Sequence, residues 1–185
     1  MTDSFVIAYL PKLKEFEGNV PWMYLDGNGN VTVGVGFLVP SVLSATSFPF
    51  YLPGLQMPAT AQEITAAYNQ VSGMQEGRLP SFYDYHGALQ LQQTWIDSHL
   101  QAILDQTVAN LQRDYTGFDG FPDSVKMALC DLDYNLGDAK LRNTYPHFDL
   151  AIDQQNWKTA AAQCHRNGVS ADRNLWCAEQ FLAVQ

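Results

Sequence analysis

EGNVPWMYLDGNGNVTVGVGF occupies residues 17–37 and decides how the rest of the chain is read. Its centre, DGNGN at 26–30, combines Gly, which tolerates positive φ, with Asp and Asn, which hydrogen-bond their own backbone in tight turns. The flanking runs WMYL and VTVGVGF hold the aromatic and β-branched residues that suit a pleated strand. A β-hairpin is predicted. The preceding SFVIAYLPKLKEFE, residues 4–17, places Leu10, Leu13 and Phe16 on one helical face, with Asp3 or Ser4 as cap and Gly18 as a stop. Pro11 is expected to break or kink that helix. Glu17 should therefore end a helix, Asp26 open a turn and Thr32 lie on a strand.

Residues 38–89 are rich in Pro, Ser and aromatics, and one helical piece, TAQEITAAYNQV, interrupts an otherwise loop-rich stretch. From Leu91 the pattern is helical. Trp95, Leu100, Ile103, Leu104, Val108 and Leu111 share a face long enough to bridge two lobes. Pro122 stands at a first helical position before DSVKMALCDLDYNLG, whose Gly137 ends it. NWKTAAAQCHRNG reads as a helix ending at Gly168, and Ser170 caps a last helix, ADRNLWCAEQFLAV. The expected class is α+β, mainly α, in one domain spanning 1–185. Its small hairpin and loop lobe covers about 14–90, and its helical lobe covers 1–13 plus 91–185. Such lobes leave a cleft, where ligands usually bind.

The chain has 185 residues, 46% of them hydrophobic and 16% charged, which suits a globular domain with one good core. A net charge of −9 argues against nucleic acid, whose phosphates need clustered Lys and Arg. No run approaches the roughly 18 apolar residues needed to span a bilayer. The start, MTDSFVIAYLPKLK, lacks the basic leader and apolar run of a secretory signal. His86, His99, His147 and His165 show no paired metal spacing, and no metal or cofactor is expected. Cys130 lies in an apolar helix pattern and reads as buried, whereas Cys164 and Cys177 flank a turn and could meet as a disulfide. Cys164 and His165 are adjacent, so on a helix they diverge and cannot form a dyad. Asp131 and Asp133 read as solvated or bonded to backbone.

Hydrolysis of an acetal needs a proton donor for the leaving oxygen and a base or nucleophile across the ring. Glu17, beside Phe16 and the hairpin aromatics, is the donor candidate. Asp26 is the candidate for the base side, and the Thr32 hydroxyl could hold the attacking water. Taken singly, each has a blander reading: a solvated helix-end acid, a turn former, a strand residue. Together they make a catalytic set.

The same residues resemble the signature of the phage-type (T-even) lysozymes, glycoside hydrolase family 24. That pattern is Glu-Gly, then Tyr-x-Asp, then Thr followed by alternating hydrophobic residues and Gly. Here Asp26 follows Glu17 by nine residues and Thr32 follows Asp26 by six. ALCDLDYNLG resembles the family's core helix, and NWKTAAAQCHRNGVSADRNLWCAEQF its closing helix pair. The resemblance covers the first 37 residues and roughly the last 65. It implies Glu17 as general acid, Asp26 on the base side, Thr32 placing water, and inversion at the anomeric carbon. It also implies that Gly34 and Gly36 let the strand approach a sugar, that Gln163 lies near substrate, and that Arg173 pairs with the catalytic acid. Phe37 stands where the family usually has His and reads as core. Phe48, Phe50, Tyr51, Phe82, Tyr83 and Tyr85 are either sugar-stacking platforms or, more simply, the core of the loop-rich region.

The expected activity is thus a monomeric, cofactor-free peptidoglycan hydrolase (muramidase) acting on glycan strands in the bacterial periplasm and cell wall. It would be delivered by other machinery, neither binding nucleic acid nor inserting into a membrane. One rival keeps the chemistry in a toxin module of a bacteriocin or secretion-system effector, which a cognate immunity protein would distinguish. Another is a non-catalytic glycan-binding or phage structural domain, distinguished by binding without release of reducing ends.

Overall fold

The computed structural model describes residues 3–137, 141 and 144–184 and is α+β, mainly helical. It forms two compact units. Glu17–Leu100 is one; residues up to Phe16 together with those from Gln101 onward form the other. Both divisions fall later than the sequence suggested, and aromatic packing is the reason. Phe16 stays with the helical unit because its ring meets Trp176 edge-on at 5.4 Å. Trp95 and His99 stay with the hairpin unit because both pack against Phe37 and Phe48.

In the hairpin unit, β1 (Val20–Leu25) pairs antiparallel with β2 (Val31–Gly34), and β2 with β3 (Phe37–Leu38). The run VTVGVGF, read as one strand, is two strands and a turn. Gly34 and Gly36 both take positive φ, 68° and 77°, which reverses the chain where Val-rich composition alone would extend it. A second hairpin, β4 (Tyr51–Leu52) and β5 (Met57–Pro58), is tied to the first through Gln90, which bridges to both Trp22 and Tyr51. The short α2 (Val42–Ala45) lies between the two hairpins, and α3 (Ala61–Ser72) follows the second. In α3, Thr60 and Glu63 form a reciprocal capping box that satisfies amides at the helix start. The loop before Leu89 is pinned by Trp22 Nε1 donating to Pro80 O (2.9 Å) and Tyr83 Oη to Gln75 O (2.8 Å). Val33, Val35, Val39, Ile96 and Leu100 are fully buried.

The first helix, α1 (Ser4–Glu17), runs unbroken through Pro11. The long α4 (Gln93–Asp114) is followed in the helical unit by α5 (Asp123–Leu136), α6 (Pro146–Asp153), α7 (Trp157–Gln163) and α8 (Ala171–Leu182). Helix α7 stops at Gln163, short of the expected Gly168. Asn174 explains this: its Oδ1 accepts from Arg166 N at 3.1 Å and its Nδ2 donates to Arg166 O at 3.0 Å, holding the following residues in a turn. Ser170 caps α8 by accepting from Arg173 N. All three cysteines are buried free thiols, so Cys164 and Cys177 are not bridged; they meet through a thiol hydrogen bond.

Asp131 corrects the sequence reading most sharply. It is fully buried, and its Oδ1 accepts from Tyr9 Oη (2.8 Å) and Arg173 Nε (3.0 Å), while Oδ2 accepts from Arg166 Nη2 (2.7 Å). Asp133 is likewise buried. No described helix is long and apolar enough to cross a membrane.

Candidate active site

Glu17, Asp26 and Thr32 all belong to the hairpin unit, each on the kind of element expected of it. Glu17 is the last residue of α1, and Gly18 leaves the helix at φ 77°. Its carboxylate is half-buried and lies against the β2–β3 turn: a methyl group added to Gly36 would stand 3.2 Å from Glu17 Oε2. Gly36 is exposed, so the missing side chain leaves the acid an open approach. Gly34 is used differently. Its bare α-carbon accommodates the Phe37 ring, which a methyl there would meet at 2.7 Å, so Gly34 is needed for packing within the hairpin. Phe37 is core, as expected.

Asp26 is held by the turn it opens. Its Oδ1 accepts from the backbone N–H groups of Asn28 (2.8 Å) and Asn30 (2.9 Å), and its own N–H donates to Asn30 O (2.9 Å). Thr32 is buried, and its hydroxyl donates to Asn30 O at 3.2 Å. Asn30 thus links the carboxylate and the hydroxyl rigidly. With its proton engaged, Thr32 Oγ1 presents lone pairs and can accept a hydrogen bond from water.

Tyr24 is the member that sequence reasoning left without a role. It pairs across the strands with Thr32, and its phenol is raised above its ordinary range by burial, then by the negative charges of Glu17 and Asp26. The two acids therefore act on one side chain. The signal was available: Tyr24 and Asp26 are two residues apart on an extended segment and so share a face. Glu76 carried no such signal. Its carboxylate lies against Gly29, where a methyl group would stand 2.8 Å from Oε1, putting a third acid beside the Asp26 turn.

Arg173 and Gln163 lie in the helical unit. Arg173 is nearly buried there and bound by Asp131, while Gln163 is exposed at the end of α7 and lines a cavity of about 120 Å³ with Tyr145 and Phe148. Of the aromatics considered for sugar stacking, Phe50 and Tyr83 are buried core. Tyr51 and Tyr85 are half-buried, and Phe48 packs edge-on against Trp95 at 5.3 Å. Phe82 is 42% exposed, with the Arg78 guanidinium 5.0 Å over its ring. Among the described residues no cluster of His, Cys, Asp or Glu could hold a metal ion. No protein-family model matches the chain, and no curated protein matches it in sequence.

Proposed function

We propose that this chain is a peptidoglycan hydrolase of the muramidase type, cleaving the β-1,4 bond between N-acetylmuramic acid and N-acetylglucosamine without a cofactor. The observation that carries this reading is the gathering of Glu17, Asp26, Thr32 and Tyr24 within one compact unit, with the Glu17 carboxylate facing Gly36. Glu17 donates its proton to the glycosidic oxygen as the C1–O bond breaks and its electron pair leaves with the departing sugar. A water held by Thr32 Oγ1 attacks C1 from the opposite face, and Asp26 takes the proton that the water loses. The product is inverted at C1, and a proton exchange with solvent resets both acids. The glycan strand is the partner this chemistry requires.

The decisive experiment compares wild type with Glu17→Gln on purified peptidoglycan, scoring reducing ends. Glu17→Gln should fold with an unchanged circular dichroism spectrum and lose activity by two or more orders of magnitude, the usual scale of a general acid, about 10²–10⁴-fold. Full activity in that variant would sink the mechanism.

A net charge of −9 supplies no long-range attraction to the anionic wall, which favours a second setting for the same chemistry: a toxin module brought to the wall by a larger carrier. An adjacent gene whose product binds this chain and abolishes hydrolysis would distinguish it from a free lytic enzyme.

A further inference from the structure

The hairpin unit contains a cavity of about 570 Å³ walled by residues that include Phe48, Tyr51, Gln56, Pro58, Gln92 and Trp95. None of Glu17, Asp26, Thr32, Gly34 or Gly36 lines it. Its volume falls within the roughly 300–1,000 Å³ of small-ligand sites.

Two observations define what would fit. First, no Asp, Glu, Lys, Arg or His lines the cavity, in a chain with 29 formally charged side chains (10 Lys+Arg plus 19 Asp+Glu). A carboxylate or phosphate would enter it unpaired and at a large desolvation cost. Second, Gln56 sits at φ 52° where the β4–β5 turn closes, its N–H donating to Leu52 O at 2.8 Å. Glycine is the ordinary occupant of such a backbone. Glutamine keeps an amide at the rim, and with Nε2 donating to Pro53 O at 2.8 Å, its Oε1 and a second N–H proton are left for a ligand. Gln92 supplies a second amide and Tyr51 a phenol, so a lipid chain would strip several polar groups of water without replacing their hydrogen bonds.

We propose that this cavity is an accessory subsite for a neutral N-acetylated hexosamine, the N-acetylglucosamine unit of the glycan strand. The aromatic walls meet the apolar sugar face and acetamido methyl, and the two glutamine amides meet the acetamido N–H and C=O. N-acetylmuramic acid is disfavoured because the acidic stem peptide amide-linked to its lactyl group, or the free lactyl carboxylate of a stripped strand, finds no cation in the lining. The choice of sugar rests on the muramidase reading.

The test titrates ¹⁵N-labelled Glu17→Gln chain with N-acetylglucosamine trimer and, as control, cellotriose, which lacks acetamido groups. The expected result is amide shifts around Phe48, Gln56 and Ala59 and at the Trp95 indole, with cellotriose inert. Gln56→Gly, which suits the backbone and deletes the amide, and Gln92→Ala should each weaken trimer binding about tenfold while leaving the melting temperature unchanged. Shifts confined to Glu17, Asp26 and Thr32, no shifts at all, equal binding of cellotriose, or unchanged affinity in both variants would overturn the subsite. Hydrolysis of peptidoglycan by wild type, measured separately, judges the muramidase reading: cavity binding without hydrolysis defeats that reading alone, and hydrolysis without cavity binding defeats only the subsite.

Discussion

The carboxylate of Glu17 and the bare α-carbon of Gly36 face one another, with room for a methyl group only 3.2 Å from Oε2. Gly36 also holds φ 77°, a conformation that costs an L-residue with a side chain about 1–2 kcal/mol. Gly36→Ala should lower the melting temperature by a few degrees, since about 1 kcal/mol shifts a chain of this size by roughly 2–4 °C. Peptidoglycan hydrolysis at 25 °C, where the variant remains folded, should fall at least tenfold because the acid is displaced (about 1.4 kcal/mol). Activity that falls no further than the folded fraction would show that Gly36 serves the turn alone.

Tyr24 reports on both acids without reference to catalysis. Its phenol is raised by burial, then by Glu17 and Asp26, so Glu17→Gln should bring its titration down, seen in the tyrosinate absorbance or the ring carbon shift. An unmoved Tyr24 in that variant would refute the arrangement of Glu17 and Tyr24 described above.

Alkaline stability follows from the same sign. Tyr24, and Tyr9 through burial and then the Asp131 carboxylate, are both held above the ordinary tyrosine value in the folded chain. Their stabilisation is fully present below about pH 10 and is lost as pH rises through their folded-state values. Urea midpoints should decline above pH 10, and Tyr24→Phe should flatten that decline. A Tyr24→Phe profile parallel to wild type would refute the assignment.

Asp131 anchors the helical unit by holding Arg166 and Arg173 in a buried network. Asp131→Asn removes the buried carboxylate that Arg166 and Arg173 both bind and should destabilise the fold by about 3–5 kcal/mol, read from urea unfolding. A loss below about 1 kcal/mol would mean that the network is not the anchor.

The three thiols should react in a fixed order. Cys164 is pulled down by its hydrogen bond with Cys177 and by Arg166, and it lines a surface hollow of about 320 Å³. Cys177 is raised by its bond to Cys164 and by burial, and Cys130 by burial and the nearby Asp133 and Asp131 charges. A lower value means more thiolate at a given pH. At pH 8 a thiol reagent should label Cys164 first, and Cys130 and Cys177 only on unfolding, as peptide mass mapping would show. Labelling of Cys130 as fast as Cys164 would contradict this order.

By itself, the sequence determined the parts governed by local chemistry. DGNGN fixes the first turn, Gly18 the end of α1 and Ser170 the start of α8, because caps and turns are satisfied by residues a few positions away. The placement of Glu17, Asp26 and Thr32 on helix end, turn and strand follows from those signals. Long-range packing decided the rest. The split of VTVGVGF depends on the Phe37 ring filling the space over Gly34. The burial of Asp131 depends on arginines 35 and 42 residues further along the chain. An acid in mid-helix reads as solvated until its partners arrive, and no period or cap announces them. Likewise, only the folded hairpin brings Gly36 to Glu17, and Tyr24 under the charge of both acids.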